Sequence, residues 1–477
     1  MFHFGGSPLS LPGPSSLDRR GFMQLGLAGM AGLTWPGLNR LRAESGRPAA
    51  KRHERTAVIL VWLRGGCSHL DTYDPKPDAG SDYAGPFRPI STKIPGLQLT
   101  ELLPRQAKIA DKFTVLRSMV HSGGGHPAGS LQMLSGDPDA ADKRVPKYPD
   151  WMTVANHQRR DQRGTLPNYI GVNPVTRYDS FTIAGPAYLG PGYAPFGVLG
   201  DPNSPDFSVP NIGVKDQGRL SDRVPLKDKL DNLSRAVDRS GTMGAYDDFE
   251  AQAMRMLTGN EVRDAFDLSR EDPRTRDRYG RNRWGQQLLM ARRLVESGVD
   301  IITSVLDGPQ CGRVGNWDDH AVNHHVFDAL KFRAPNFDQA VSALIEDVYA
   351  RGLDKRVLVV VSGEFGRTPR ISHVASSGGG VASAEAGIVQ PGRDHWPRGF
   401  SNIWAGGGIQ TGGIIGATDR RGEDAVDRRT SPGDFLATIY HHLGIDAKNV
   451  SIPDFTGRPV PILPQGRPVP ELTVEGA

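Results

Sequence analysis

Short apolar runs that end abruptly in glycines or polar residues constrain the fold of this chain most. The first run covers residues 57–63 and is followed at once by Arg64-Gly65-Gly66. A strand that is apolar at every position is typical of the interior of a parallel sheet, where both faces are buried. Comparable runs recur at residues 113–120, 299–305, 356–362 and 402–404.

Helical patterns separate these runs, at residues 130–134, 151–160, 249–257, 284–296, 337–351 and 432–443. Strands that alternate with helices predict an α/β fold with a doubly wound, mostly parallel sheet and helices on both faces. Ligands of such sheets bind beyond the carboxyl ends of the strands. The loops that leave those ends are therefore where function is expected.

The chain is expected to form a single domain over residues 56–465. Residues 174–234 are rich in Gly, Pro, Asp and Ser and lack periodicity, which predicts a long insertion over the core. Residues 466–477 are expected to be a flexible C-terminal tail. The counts of 58 Gly and 37 Pro in 477 residues favour long loops, in which functional residues tend to lie.

Composition excludes some classes of protein. The net charge of +4 and an aromatic content of 7% give no sign of a nucleic-acid reader. Cys67 and Cys311 are the only cysteines, too few for a disulfide scaffold or a cysteine-based zinc module. Each follows a strand near the predicted site, so they are expected to lie near each other.

The first 45 residues have the pattern of a twin-arginine signal. Arg19-Arg20 precede a mildly apolar stretch at 25–35, which is too short and too rich in Gly and Ala to span a membrane. The chain is therefore expected to use the twin-arginine translocase and to reach the periplasm or the exterior. No clean cleavage site follows, so membrane contact through a retained signal stays open.

Polar clusters follow the predicted strands. After the first strand, His69 and Asp71 could face a ligand, although Asp71 could equally cap a turn before Pro75. After the second strand comes Ser122-Gly123-Gly124-Gly125-His126. Its glycines would let the backbone approach an anion at the start of a helix, and Ser122 is a candidate nucleophile or metal ligand. The alternative is a flexible turn.

The third cluster is Asp318-Asp319-His320, whose mixed carboxylate and imidazole donors suit zinc or manganese. One of the two aspartates could equally cap a helix. His325, close behind, is interpreted as a surface or packing residue.

Two further clusters complete the set. Glu364 and Arg367 follow the 356–362 strand and suit metal binding or acid–base chemistry beside a guanidinium that grips phosphate, sulfate or carboxylate. An internal Glu364–Arg367 salt bridge is the alternative. Asp394-His395, on a later loop, is a candidate ligand or acid–base pair.

In this order, behind a twin-arginine signal, the clusters resemble the bacterial domain-of-unknown-function family 1501, from about Thr56 to Leu443. The specific pieces are Leu63-Arg64-Gly65-Gly66, Ser68-His69-Leu70-Asp71-Thr72, Trp317-Asp318-Asp319-His320, Gly363-Glu364-Phe365-Gly366-Arg367-Thr368-Pro369 and Asp394-His395. That family is similar to the alkaline phosphatase and sulfatase superfamily, whose members hydrolyse or transfer phosphate and sulfate esters at a two-metal site.

The resemblance implies roles for individual residues. The Ser122 to His126 segment looks like the Ser-x-x-x-His loop of cofactor-independent phosphoglycerate mutases, which makes Ser122 the nucleophile. The catalytic residues implied are Ser122, His126 and Arg367, and the metal ligands are drawn from Asp71, Asp318, Asp319, His320, Glu364, Asp394 and His395. Phe365 stands where the superfamily has a histidine and cannot bind a metal, so one zinc or manganese site is expected rather than two.

Two functions follow from these patterns. The first is an exported, metal-assisted hydrolase of phosphate or sulfate esters, with a small anionic ester as substrate. The alternative is a non-catalytic exported binding protein that keeps a degenerate metal site and a pocket for an anionic ligand. A structural surface protein would leave the clustered histidines and aspartates unexplained.

Overall fold

The computed structural model describes residues 55–162, 164–209, 212, 260–308, 315–379 and 382–473. The predicted signal, the helix predicted at 249–257 and Cys311 lie outside these residues. The chain from Arg55 to Ala477 forms one compact unit. Within the described part, no helix combines the length and the apolar character that a membrane crossing needs.

Within the described residues, eight strands form the central sheet, and all but one run in the same direction. In chain order they are β1 (Ala57–Trp62), β2 (Phe113–Met119), β3 (Tyr169–Val172), β4 (Phe196–Val198), β5 (Ile301–Val305), β6 (Val357–Ser362), β7 (Phe400–Gly406) and β8 (Ile414–Ile415). Across the sheet their order is β8-β2-β7-β6-β1-β5-β3-β4. Only β7 is antiparallel to its neighbours β6 and β2. The predicted mostly parallel sheet is confirmed.

Eight α-helices belong to the described part of the chain: α1 (Pro104–Lys108), α2 (His126–Ser135), α3 (Trp151–Gln158), α4 (Asn260–Phe266), α5 (Pro273–Tyr279), α6 (Arg283–Glu296), α7 (Val326–Ala350) and α8 (Pro432–His442). Strand β1 shows why they cover both faces, since all its side chains are fully buried. Ala57, Ile59 and Val61 pack in one hydrophobic cluster with α1, α4, α6 and α7. Val58, Leu60 and Trp62 pack in another with α2, α3 and α8.

Helix α7 is longer than its sequence indicates. The helical pattern of the sequence begins at residue 337, two residues after Pro335, and a proline inside a helix removes a backbone hydrogen bond at a cost of about 3 kcal/mol. The observed helix begins at Val326 and passes through Pro335. Its buried face, which includes Leu330 and Phe337, packs in the core on both sides of the proline. Tertiary packing therefore overrides the local preference.

Part of the predicted 174–234 insertion belongs to the sheet. Strand β4 pairs in parallel with β3, and the two-residue strand Arg177–Tyr178 pairs with Phe181–Thr182. The predicted tail also contacts the core, because Val469 and Leu472 are buried. Both segments are too short for periodicity to show in the sequence.

His442, at the end of α8, provides a test of the packing between this helix and β1. Its Nε2 lies 3.0 Å from the carbonyl oxygen of Ala57, and burial lowers its pKa from 6.5 to about 4. Between these two values the unfolded chain binds the extra proton, so this contribution to stability falls as the pH falls. For metal-free protein we expect a loss of about 2 kcal/mol from His442 between pH 7 and pH 5.

Urea unfolding of wild type and of His442→Gln, compared at pH 7 and pH 5, measures this loss. The variant should lose less stability on acidification, because an amide can donate to the same carbonyl without titrating. Replacement of the exposed His373 by Gln is the matched control. Equal acid sensitivity of wild type and His442→Gln would contradict the account.

Candidate metal centre

Loops at one edge of the sheet bring together four side chains that could hold a metal ion. His126 is the first residue of α2, which follows β2, while Asp318 and His320 lie between β5 and α7. His395 precedes β7, whose antiparallel direction places its start at the edge where the parallel strands end. One donor atom from each of His126, Asp318, His320 and His395 lies within 4.8 Å of the other three.

The Oδ1 atom of Asp318 lies at the centre of this group. It is 2.8 Å from His320 Nε2, 3.1 Å from His126 Nε2 and 3.3 Å from His395 Nε2. His320 Nε2 and His395 Nε2 are 3.0 Å apart. Zinc bonds of about 2.0–2.1 Å give a tetrahedron with edges of about 3.3 Å, and these four distances are close to such edges.

The far nitrogen of each imidazole has an acceptor of its own. The Nδ1 atoms of His126 and His320 lie 2.7 Å and 2.6 Å from carboxylate oxygens of Glu364 and Asp394. His395 Nδ1 lies 2.8 Å from the carbonyl oxygen of Gly124. Because a carbonyl or an ionised carboxylate only accepts, each Nδ1 carries the hydrogen, and the Nε2 of a neutral ring is a lone pair. This is the pattern of metal-binding histidines.

The converging lone pairs call for a positive charge between them. In the absence of a metal a proton supplies it, since hydrogen bonds to Asp318 and then to Asp394 raise the pKa of His320 to about 9. Burial raises the pKa of Asp318, but the contacts with the three imidazoles, of which the protonated His320 donates through Nε2, and the Arg367 charge outweigh it and hold that pKa far below its ordinary value. Asp318 is therefore ionised.

The backbone of the Arg64-Gly65-Gly66 segment supports the centre through Glu364. The Gly65 amide donates to Glu364 Oε1 over 2.8 Å, and Gly65 adopts φ 105°. A Cβ there would lie 2.5 Å from the Asp318 amide nitrogen, so only glycine permits this approach. The polar segment after β1 thus contributes main-chain atoms.

Arg367 is buried beneath the centre and is directed at protein atoms. Its guanidinium donates to the carbonyl groups of Gly65, Gly66 and Arg393 and, over 2.6 Å, to Asp318 Oδ1. These contacts use most of its hydrogens, so its effect on a ligand would pass through Asp318. A contact between Arg367 and a substrate anion stays a prediction of the sequence.

Two predicted metal ligands lie apart from the four-residue group. Asp319 makes a bidentate ion pair with Arg333, at 2.6 and 2.8 Å. Asp71 pairs with Arg393 at 2.8 Å. Both carboxylates are buried, and each is neutralised by its own arginine. Glu364 and Asp394 stand behind the histidines, as supports.

The glycine-rich loop holds an anion of the chain itself. The start of α2 was predicted to attract an anion, and the Ala128 amide donates over 3.0 Å to Asp142 Oδ1. A Cβ on Gly125 would collide with that carboxylate. Ser122 is exposed, and its Oγ accepts from the Gln132 amide over 2.9 Å.

Sequence reasoning missed two features of the site. His126 was interpreted as catalytic, although a histidine at a helix start on the same sheet edge as His320 was a signal for a shared ligand role. Tyr178, whose hydroxyl lies 3.2 Å from Asp318 Oδ2, belongs to a stretch without periodicity. No pattern in the sequence indicates its position.

Removal of His320 tests the centre, with His325 as the matched control. His320→Ala should weaken zinc binding by more than about 100-fold, since loss of a ligand costs more than loss of its outer partner. His325→Ala should bind zinc as wild type does. Isothermal titration of chelator-treated protein measures both affinities, and equal zinc binding by His320→Ala and wild type would exclude this site.

No curated protein matches the sequence. The phosphonate monoester hydrolase of Agrobacterium radiobacter is similar in structure at 12% identity and a TM-score of 0.36, covering 88% of this chain and 78% of its own. PsFucS1 sulfatase from Pseudoalteromonas sp. has 12% identity, a TM-score of 0.32 and coverages of 86% and 70%. The lipoteichoic acid synthase LtaP from Listeria monocytogenes has 8% identity, a TM-score of 0.33 and coverages of 82% and 73%.

The family model described as "Protein of unknown function (DUF1501)" matches residues 55–473. This match includes the whole sheet and every residue of the candidate centre. It also agrees with the resemblance carried by the motifs of the sequence. The chain therefore belongs to the DUF1501 family.

Proposed function

We propose that this protein is an exported, metal-dependent hydrolase of small phosphate or sulfate esters, with one divalent ion held by His126, Asp318, His320 and His395. The supporting observation is the convergence of three imidazole Nε2 atoms on Asp318 Oδ1 while each Nδ1 has its own acceptor. Three nitrogen donors and one oxygen suit zinc better than manganese, which prefers oxygen ligands.

The exposed sides of His320 and His395 offer an approach for a substrate. The ring of Phe365 stacks on His395 with centroids 4.5 Å apart, and Tyr178 stacks on His126 at 4.0 Å. The side chains of His320 and His395 remain 23% and 22% exposed. An ester would approach on this side. A bound divalent ion would act as a Lewis acid, which polarises the ester and stabilises the charge that develops on it during the reaction.

Ser122 is the proposed nucleophile. It lies on the loop that leads from β2 to His126, and the Gln132 amide donates to its oxygen, which leaves the hydroxyl hydrogen free. In the proposed step its Oγ forms a bond to phosphorus or sulfur as the bond to the ester oxygen breaks. The serine proton passes to solvent, and the leaving oxygen takes a proton. Water then releases phosphate or sulfate and restores the serine.

One observation favours the second candidate, a binding protein for an anionic ligand. Phe365 packs against His395, and Asp71 is occupied by Arg393. Among the described residues, the four-residue group is the only one with metal-binding spacing. In two-metal hydrolases a second cation stabilises the leaving oxygen, and an in-line displacement at a single ion lacks that stabilisation.

Hydrolysis assays with aryl phosphate and aryl sulfate esters distinguish the two candidates. The protein is first loaded with one equivalent of zinc or manganese. The hydrolase should release aryl alcohol from one class of ester, stop after chelation and recover when the metal returns. Ser122→Ala should reduce this rate by roughly 10³-fold or more, as removal of a nucleophile does. Ser81→Ala, at an exposed serine, is the control.

Each candidate has a distinct failure. Loaded protein that binds phosphate or sulfate in calorimetry and hydrolyses neither ester class is the binding protein. If the wild type is active and Ser122→Ala is equally active, Ser122 is not the nucleophile, but the proposal of a hydrolase still stands. Ester hydrolysis that survives complete metal removal contradicts the metal-dependent proposal.

A further inference from the structure

Tyr178 contacts two of the four side chains of the candidate centre. It lies in the short strand after β3, and its side chain is buried. Its hydroxyl lies 3.2 Å from Asp318 Oδ2, and its ring stacks on His126 with centroids 4.0 Å apart and planes 11° from parallel. A single side chain from the predicted insertion thus touches residues that come from the loops after β2 and β5.

The opposite face of the Tyr178 ring is fixed as well. The guanidinium of Arg64 lies 4.4 Å from the ring centre, within the range of a cation–π contact. Arg64 is itself held by Asp307 at 3.0 Å and by Asp179 at 3.3 Å. The ring is therefore sandwiched between Arg64 and His126, which leaves it little freedom to move.

The direction of the Tyr178 hydroxyl bond follows from its neighbours. The Asn316 side-chain amide, which only donates through its nitrogen, lies 3.5 Å from the hydroxyl oxygen. The Asp318 carboxylate, which only accepts, lies 3.2 Å from the same oxygen. Tyr178 therefore donates to Asp318 Oδ2, while Oδ1 faces Arg367 and the three imidazoles.

We infer that Tyr178 is a positioning residue that would make Asp318 a one-oxygen ligand, so that the fifth coordination position, which the second carboxylate oxygen would otherwise take, would stay free for an incoming ligand. The inference rests on the metal site of the proposed function, but not on ester hydrolysis. A carboxylate can bind a metal through one oxygen or through both. With Oδ2 held by Tyr178, only Oδ1 is turned towards the histidines.

Cobalt binding tests this role without a substrate. The visible absorption of Co²⁺ weakens as its number of ligands rises, so it reports whether Asp318 offers one oxygen or two. In Tyr178→Phe the ring and its stacking remain but the hydrogen bond is lost. We expect weaker visible absorption per bound Co²⁺ and an affinity lowered by about 10-fold, the smaller effect seen when an outer partner is removed.

Two further variants complete the test. Tyr188→Phe removes the hydroxyl of a half-buried tyrosine of the same segment and should leave spectrum and affinity unchanged. Arg64→Met loosens the far face of the ring and should shift the spectrum in the same direction as Tyr178→Phe, but less. If Tyr178→Phe proves too unstable to load, Arg64→Met decides the question.

The outcomes separate cleanly. An unchanged spectrum and affinity in Tyr178→Phe overturn the inference, as does an equal change in Tyr188→Phe, which would indicate a general loss of stability. Wild-type protein that binds no Co²⁺ removes the metal site and the inference together. Protein that binds Co²⁺ as described but hydrolyses no ester leaves this inference intact and defeats only the hydrolase.

Discussion

The carboxylate of Asp318 is the interaction on which the whole site depends. Its Oδ1 is the only atom that touches His126, His320, His395 and Arg367 at once, among the described residues. These partners lie on the loops that follow β2, β5 and β6 and on the loop that precedes β7. This one oxygen therefore connects four loops at the same edge of the sheet. A charge at such a position must be balanced. Arg367 balances part of it, and in the proposed site one bound cation would balance the rest, with the three imidazoles as its other ligands.

Ion pairs with arginines determine which of the nearby carboxylates remains available to bind a metal ion. Asp319 and Asp71 are each neutralised by a buried guanidinium, and removing one partner of such a pair costs about 3–5 kcal/mol. A metal ion would have to displace Arg333 or Arg393 to recruit them. Arg367 differs, because main-chain carbonyls hold most of its hydrogens and it adds only one contact to Asp318. Of these three aspartates, Asp318 alone therefore remains available as an oxygen ligand beside the histidines.

The sheet was largely predictable because β1 and β6 are almost wholly apolar and β2 and β5 are mainly apolar, and helices separate these runs. The three- and four-residue strands β4 and β3 were not, since so few residues carry no period. The site was predictable in part: strand ends brought Asp318, His320 and His395 to one edge. The sequence does not show which of Asp318 and Asp319 remains available to bind a metal. Asp319 is paired with Arg333, which lies on the following helix, α7. Nor does the sequence show Asp142 at the start of α2 or Tyr178 against His126, since both come from irregular segments.

Crystals of the protein soaked with one equivalent of zinc, measured on both sides of the zinc absorption edge, test the central claim most directly. The account predicts one anomalous peak per chain, bounded by the Nε2 atoms of His126, His320 and His395 and by Oδ1 of Asp318, with Asp71 and Asp319 still paired to their arginines. A peak at any other set of side chains, two peaks at this edge of the sheet, or none at all would contradict it.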